Sequence, residues 1–222
     1  ALNRAQTDEQ RQAGLKRAET VGASGDQMMA ALDASAKARW DTTPMSAGRM
    51  MSEIADAMHP DTVLFDEAIT SGGYLTRYLR FDDTGRHYRT TGGGLGPGMP
   101  APIGIKLARP DKPVLSIVGD GAALYTIQAL WTAAHHKIPV TWVIANNRSY
   151  RILKLNMLDY LGEGAAGRRF VEMDITDPPL DFSQIAASFG VKGVRIEHAD
   201  QIGDALREAQ NSNEPRLLDV VI

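Results

Sequence analysis

Apolar positions along the chain fall into two patterns. Residues 62–65 (TVLF), 113–118 (PVLSIV), 139–145 (PVTWVIA), 193–196 (GVRI) and 216–222 (RLLDVVI) are short, nearly continuous apolar runs. Strands buried on both faces read this way, because neither face has to be polar. Between the runs, residues 101–108, 122–136, 182–189 and 201–210 read as helical stretches. An earlier helix is expected near Pro44, with Met50, Ile54, Ala57 and Met58 at helical spacing and His59-Pro60 ending it. Alternating strand and helix predict an α/β fold, a doubly wound, mostly parallel sheet flanked by helices.

The first 40 residues have a different texture. They are rich in Ala, Gln, Arg and Lys and hold no strand-like run. Residues 26–38 can be helical, and the stretch from Gly22 to Gly25 is expected to interrupt what precedes them. Residues 1–43 are therefore expected to be a linker and helical remnant of a preceding domain, and residues 44–222 the main domain.

Composition narrows the function. With 222 residues, 43% hydrophobic and 23% charged, the chain can bury a core and is not disordered in bulk. The formal charge of −3 offers no basic excess, so no nucleic-acid partner is expected. The absence of cysteine excludes a disulfide framework, a thiolate zinc site and an iron–sulfur cluster, and fits a cytoplasmic protein. No apolar run reaches the roughly 18 residues of a membrane span, so no membrane partner is expected.

Two glycine clusters invite chemistry. Gly96-Pro97-Gly98-Met99-Pro100-Ala101 matches a dinucleotide fingerprint only formally, since it carries two prolines and no clear strand precedes it. Gly119-Asp120-Gly121 directly follows one apolar run and opens a helix. A helix start at the carboxyl end of a parallel strand suits a diphosphate. Asp120 would repel that anion unless a divalent cation lay between them, and Mg2+ commonly bridges carboxylate and phosphate. Asn147 follows 27 residues later, after one helix and one strand, at the same edge of the sheet. By itself the Asn146-Asn147 pair is also an ordinary turn.

GDG followed by about 25 to 30 residues and then NN resembles the binding motif of thiamine-diphosphate enzymes. The likeness is wider than the motif. Residues 60–222 resemble the C-terminal, diphosphate-binding domain of benzoylformate decarboxylase and its relatives, with ALWTAA at 129–134, IPV at 138–140, NNRSY at 146–150 and GGLG at 93–96. Acetolactate synthase and pyruvate decarboxylase are more distant members of that superfamily. The resemblance implies thiamine diphosphate and Mg2+ as cofactors. It implies metal ligation by the side chains of Asp120 and Asn147 and the backbone carbonyl of Ser149. Gly121, Ala122 and Ala123 would bring N–H groups to the diphosphate, where Gly119, Ile69 and Thr70 also lie. The Gly93 carbonyl would accept a hydrogen bond from the cofactor's 4′-amino group, with Gly94 beside it. Leu95 would be the apolar residue beneath the bent cofactor, so Leu95 and Gly93 are the residues expected to serve catalysis directly. Tyr150 and Ile152 would complete the cofactor site, Ile152 facing the substrate.

Some positions depart from the family pattern. Arg148 stands for a small residue, Ala122 for Ser, Ile152 for the alanine of benzoylformate decarboxylase, and Asn156 for an aromatic residue. A large aryl substrate is therefore disfavoured, and Asn156 is expected near a polar acyl group. The resemblance implies a small 2-oxo-acid substrate and a decarboxylase reaction. An acetolactate synthase-like carboligase, or a separate small subunit of a two-chain enzyme, is the alternative. The catalytic glutamate of the family comes from a pyrimidine-binding domain, on the same or a separate chain, for which these residues leave no room. The chain is thus expected to be inactive alone and to work within a homodimer or homotetramer. Other chemistry is weaker. His135-His136 are helix neighbours about 100° apart and cannot chelate one ion well. Ser71 and Ser116 have no recognisable base partner.

Overall fold

A computed structural model describes residues 6–79, 81, 83–162, 167 and 169–222. The chain divides into one unit ending at Arg39 and a second, Trp40–Ile222. The first is a single helix, α1 (Asp8–Lys37). It starts in a capping box: Thr7 Oγ1 accepts the Gln10 N–H at 3.2 Å, and Gln10 Oε1 accepts the Thr7 N–H at 3.0 Å. Asp8 and Glu9 in the first turn and Lys37 in the last complement the helix dipole. The expected interruption at Gly22–Gly25 does not occur. Each glycine costs about 1 kcal/mol against alanine, but stopping and restarting a helix costs a new nucleus and two new ends.

In the second unit every paired strand is parallel. Among the described residues the six strands are β1 (Val63–Glu67), β2 (His87–Arg89), β3 (Val114–Gly119), β4 (Thr141–Asn146), β5 (Lys192–Ile196) and β6 (Arg216–Val221), in spatial order β2-β1-β3-β4-β6-β5. The chain steps from β1 outward to β2, then returns to the other side of β1 as β3. The switch point of the sheet therefore lies between β1 and β3.

The continuous apolar runs are explained by two cores. Val63, Val114, Trp142, Ile144 and Leu217 pack with Ile103, Leu130, Ala133 and Phe182. Those last four belong to α4 (Ala101–Ala108), α6 (Ala129–His135) and α8 (Phe182–Ser188). Leu64, Leu115, Val143 and Leu218 pack instead with Met50, Met51, Ile54, Leu75 and Leu206. These come from α2 (Ala47–Ala57), α3 (Gly72–Tyr78) and α9 (Ile202–Gln210). Neighbouring strand residues thus point into opposite cores, as period-2 geometry requires. Both edges are sparsely covered: β5 buries only Ile196 and β2 buries none of its three residues.

The structure corrects the helix expected over 122–136. It is two pieces, α5 (Asp120–Ala123) and α6, joined by turns through 124–128. Three elements carry no clear pattern in the sequence: α3, the edge strand β2, and α7 (Arg151–Leu161), in which no residue is buried.

Candidate functional site

Register places the site. Gly119 pairs with Ala145, so Asp120 and Asn147 emerge just beyond the same edge of β3 and β4. Glu67 pairs with Val118, so β1 ends level with them. Above this edge lies a cavity of about 530 Å³. It is lined by Glu67, Ala68, Ile69, Thr70 and Ser71 from the exit of β1, and by Leu95. Gly119, Asp120, Gly121 and Ala122 line it from the β3–α5 junction, with Leu124 and Tyr125 just after. Ala145, Asn147, Ser149, Tyr150, Arg151, Ile152 and Leu153 close the β4 side.

Most of the expected residues meet here: Ile69, Thr70, Leu95, Gly119, Asp120, Gly121, Ala122, Asn147, Ser149, Tyr150 and Ile152 all line one cavity. Three do not. Gly93 and Gly94 lie in an exposed turn outside the lining, where Gly93 has φ of +76°. Ala123 is fully buried in the core beneath α5 and presents no side chain to the cavity. Asn156, on exposed α7, is also outside the lining. Sequence reasoning missed Glu67, Tyr125, Arg151 and Leu153. Glu67 had a signal, an acidic residue closing an apolar run, which marks a buried charge at a strand end.

Asp120 dominates the electrostatics. It is 3% exposed. Oδ1 accepts the Gly121 N–H at 2.8 Å, but Oδ2 is buried without a hydrogen-bond partner. Burial pushes its pKa above the usual carboxylate value. The Gly121 N–H, and more weakly those of Arg148, Ser149 and Asn147, pull it back.

The loop facing Asp120 is built by pairing. Ser149 bridges Asp174, the Tyr150 N–H donates to Met173 O at 3.0 Å, and the Ile175 N–H donates to Arg148 O at 2.8 Å. Arg148 sits at φ of +54° to make the turn. Asn147 Oδ1 accepts the Ser149 N–H at 2.9 Å, and Ser149 O accepts the Arg151 N–H at 2.7 Å. Each of these oxygens has two lone pairs, so each keeps one for a further contact. The ring of Tyr150 lies against Gly121, where an added Cβ would stand 2.8 Å from a ring carbon.

The donor set suits a hard divalent cation: one orphaned carboxylate oxygen, an amide oxygen and a carbonyl. Among the described residues no group of three His, Cys, Asp or Glu could hold a metal, so any metal at this edge needs amide or backbone oxygens. His135 stacks on Trp131 at 4.8 Å between ring centroids. Among the described residues no helix is long and apolar enough to cross a membrane.

Comparison with known proteins gives a consistent picture. Residues 70–220 match the model of the C-terminal TPP binding domain of thiamine pyrophosphate enzymes. A Mycobacterium tuberculosis protein named "Putative acetolactate synthase large subunit IlvX" is 36% identical over 82% of this chain and 35% of its own length. Benzoylformate decarboxylase of Pseudomonas aeruginosa is 30% identical over 76% of this chain and 31% of its own length. Among solved structures, the thiamine diphosphate-dependent 4-hydroxybenzoylformate decarboxylase of Rhodococcus jostii superposes with a TM-score of 0.74. It is 29% identical, over 81% of this chain and 33% of that one. The chain thus spans about a third of the length of the relatives it matches.

Proposed function

The chain belongs to the thiamine pyrophosphate enzymes, as their C-terminal TPP-binding domain, and from that premise we propose that it is the diphosphate- and Mg2+-binding portion of a 2-oxo-acid decarboxylase of the benzoylformate decarboxylase type. One observation carries the reading: the buried, partnerless Oδ2 of Asp120 beside Asn147 at the carboxyl edge of β3 and β4. An unpaired buried carboxylate oxygen is costly, and a cation between it and a diphosphate removes the cost.

Asp120 and Asn147 would hold Mg2+ through side-chain oxygens and Ser149 through its carbonyl. Ile69 and Thr70, with the N–H groups of Gly121, Ala122 and Ala123, would face the diphosphate. Gly93 and Gly94 would approach the cofactor through backbone, and Leu95 would support its two rings. Thiamine diphosphate, when bound, supplies an electron sink for breaking the bond between a carboxylate and its neighbouring carbonyl carbon. Leu124, Tyr125, Ile152 and Leu153 give the cavity an apolar wall for a small substrate.

The carboxylates lining the cavity are Glu67 and Asp120. Glu67 is committed to its own chain by three hydrogen bonds. The carboxylate required by the cofactor's aminopyrimidine would come from a pyrimidine-binding domain elsewhere in the protein or its assembly, which points to a dimer or tetramer as the working unit. An acetolactate synthase-like carboligase is the second reading, favoured by the 36% identity to the mycobacterial relative. The separating experiment supplies the complete protein with thiamine diphosphate, Mg2+ and a panel of 2-oxo acids. A decarboxylase releases one aldehyde per CO2, whereas a carboligase releases one acetohydroxy acid per CO2 from two 2-oxo acids. A protein that binds no thiamine diphosphate with Mg2+ present would remove both readings.

A further inference from the structure

We propose that Glu67 is a positioning residue that fixes the turn 96–98 and so sets the height of Leu95 in the cavity. Its catalytic consequence rests on the cofactor reading above, but the clamp itself is a property of this chain. Glu67 closes β1 and is 1% exposed. Its Oε1 accepts the Gly96 N–H at 2.8 Å and the Thr90 hydroxyl at 3.1 Å, and its Oε2 accepts the Gly98 N–H at 2.7 Å.

The carbonyls of the same turn are held from the other side. Ser116 Oγ donates to Gly98 O at 2.7 Å, and the Thr126 hydroxyl donates to Gly96 O. Both peptide edges of the turn are therefore gripped by side chains from β1, β3 and the α5–α6 connection. Glycine at 98 makes this possible, since an added Cβ would lie 2.5 Å from Glu67 Oε2.

Strand pairing does not need this carboxylate. β1 and β3 are joined by their own backbone ladder. A buried carboxylate is retained where its acceptors organise something, here the turn next to Leu95. Leu95 is 37% exposed and has no core of its own to locate it, so its position follows the turn.

The test uses the complete protein with Glu67→Gln, and Thr126→Val as a milder variant that leaves Glu67 in place. In Glu67→Gln the amide NH2 faces one of the two glycine N–H groups. Amide exchange is followed without cofactor. Whichever of the Gly96 and Gly98 amides faces the NH2 should exchange about tenfold faster, the worth of one ordinary hydrogen bond, while β3 amides stay within about threefold. With thiamine diphosphate and Mg2+, affinity should hold within about threefold, while turnover falls by tenfold or more, on the order of what small misplacements cost. Thr126→Val should shift both readouts in the same direction by less. Unchanged exchange at 96 and 98, or a uniform rise across the sheet, overturns the clamp. Faster exchange at the turn with unaltered turnover overturns its link to Leu95. If the unaltered protein binds no thiamine diphosphate, the cofactor reading fails and the exchange result alone judges the clamp.

Discussion

The two walls of the cavity are built on opposite rules. On the β1 side Glu67 is buried with both oxygens engaged, and the turn it holds is bonded through the N–H groups of Gly96 and Gly98. On the β3–β4 side Asp120 is equally buried, yet one oxygen has no partner. Satisfied groups define shape, while an unsatisfied one waits for a ligand. The contrast teaches where the protein is finished by its own folding and where it is finished by what it binds. A third buried acid marks the rule's reach: Asp219 on β6 accepts from Asn146 at 2.8 Å and from the Phe182 N–H at 3.1 Å, and lies 3.4 Å from Arg195. It locks the strand end that precedes Asn147.

The largest expected effect is at the unsatisfied wall. Asp120→Ala should weaken Mg2+-dependent thiamine diphosphate binding in the complete protein by more than about 100-fold, the upper range for losing even a supporting residue around a metal. Calorimetric titration with and without Mg2+ checks this, and unchanged affinity would sink the metal assignment. The stability readout should separate the walls by sign. Without cofactor, Asp120→Asn should leave the protein as stable or more so. Glu67→Gln should cost about 1–3 kcal/mol, because it strands a buried N–H. Urea denaturation of both variants tests the comparison, and two losses of equal size would break it.

Leu95→Ala comes next. It should slow turnover far more than it weakens cofactor binding, and cost under about 1 kcal/mol of stability, since the residue is over a third exposed. Equal turnover would remove Leu95 from the chemistry.

The smallest effect concerns pH. Burial raises the pKa of Asp219 above the ordinary aspartate value of 3.8, against the opposing pull of Asn146, the Phe182 N–H and Arg195. The folded state therefore keeps this proton after the unfolded state has lost it. The associated stability is full below 3.8 and is lost as pH rises through the raised native value. Asp219→Asn should flatten that part of the stability-against-pH curve, as thermal melts across mildly acidic pH would show. An identical slope would mean Asp219 takes no part in it.

Much of this is legible in the sequence. Strands announced themselves because both faces of the sheet are covered, which made 113–118 and 139–145 almost wholly apolar. Asp120 and Asn147 were legible because one helix and one strand between them fix both at one edge. Two of the elements that escaped, β2 and α7, lack a burial signature. β2 is three residues long with His87, Tyr88 and Arg89 half-exposed or exposed, and α7 buries nothing. Gly22 and Gly25 misled because local propensity competes poorly with an already propagating helix. Glu67 escaped as a site residue because its three partners at 90, 96 and 98 come from a distant loop that no spacing rule ties to the end of β1. Gly93 and Gly94 show the converse, a motif recognisable in sequence whose residues stand outside the cavity lining.

The seat of the Tyr150 ring on Gly121 has a consequence for how this surface can change over generations. The two positions are sterically coupled. A single carbon gained at 121 would clash with the ring, and because both residues line the cavity its outline would change with any shift of either. Lineages exploring larger residues at 121 must shorten position 150 first, which makes the order of the two substitutions, and not merely their identity, the constraint.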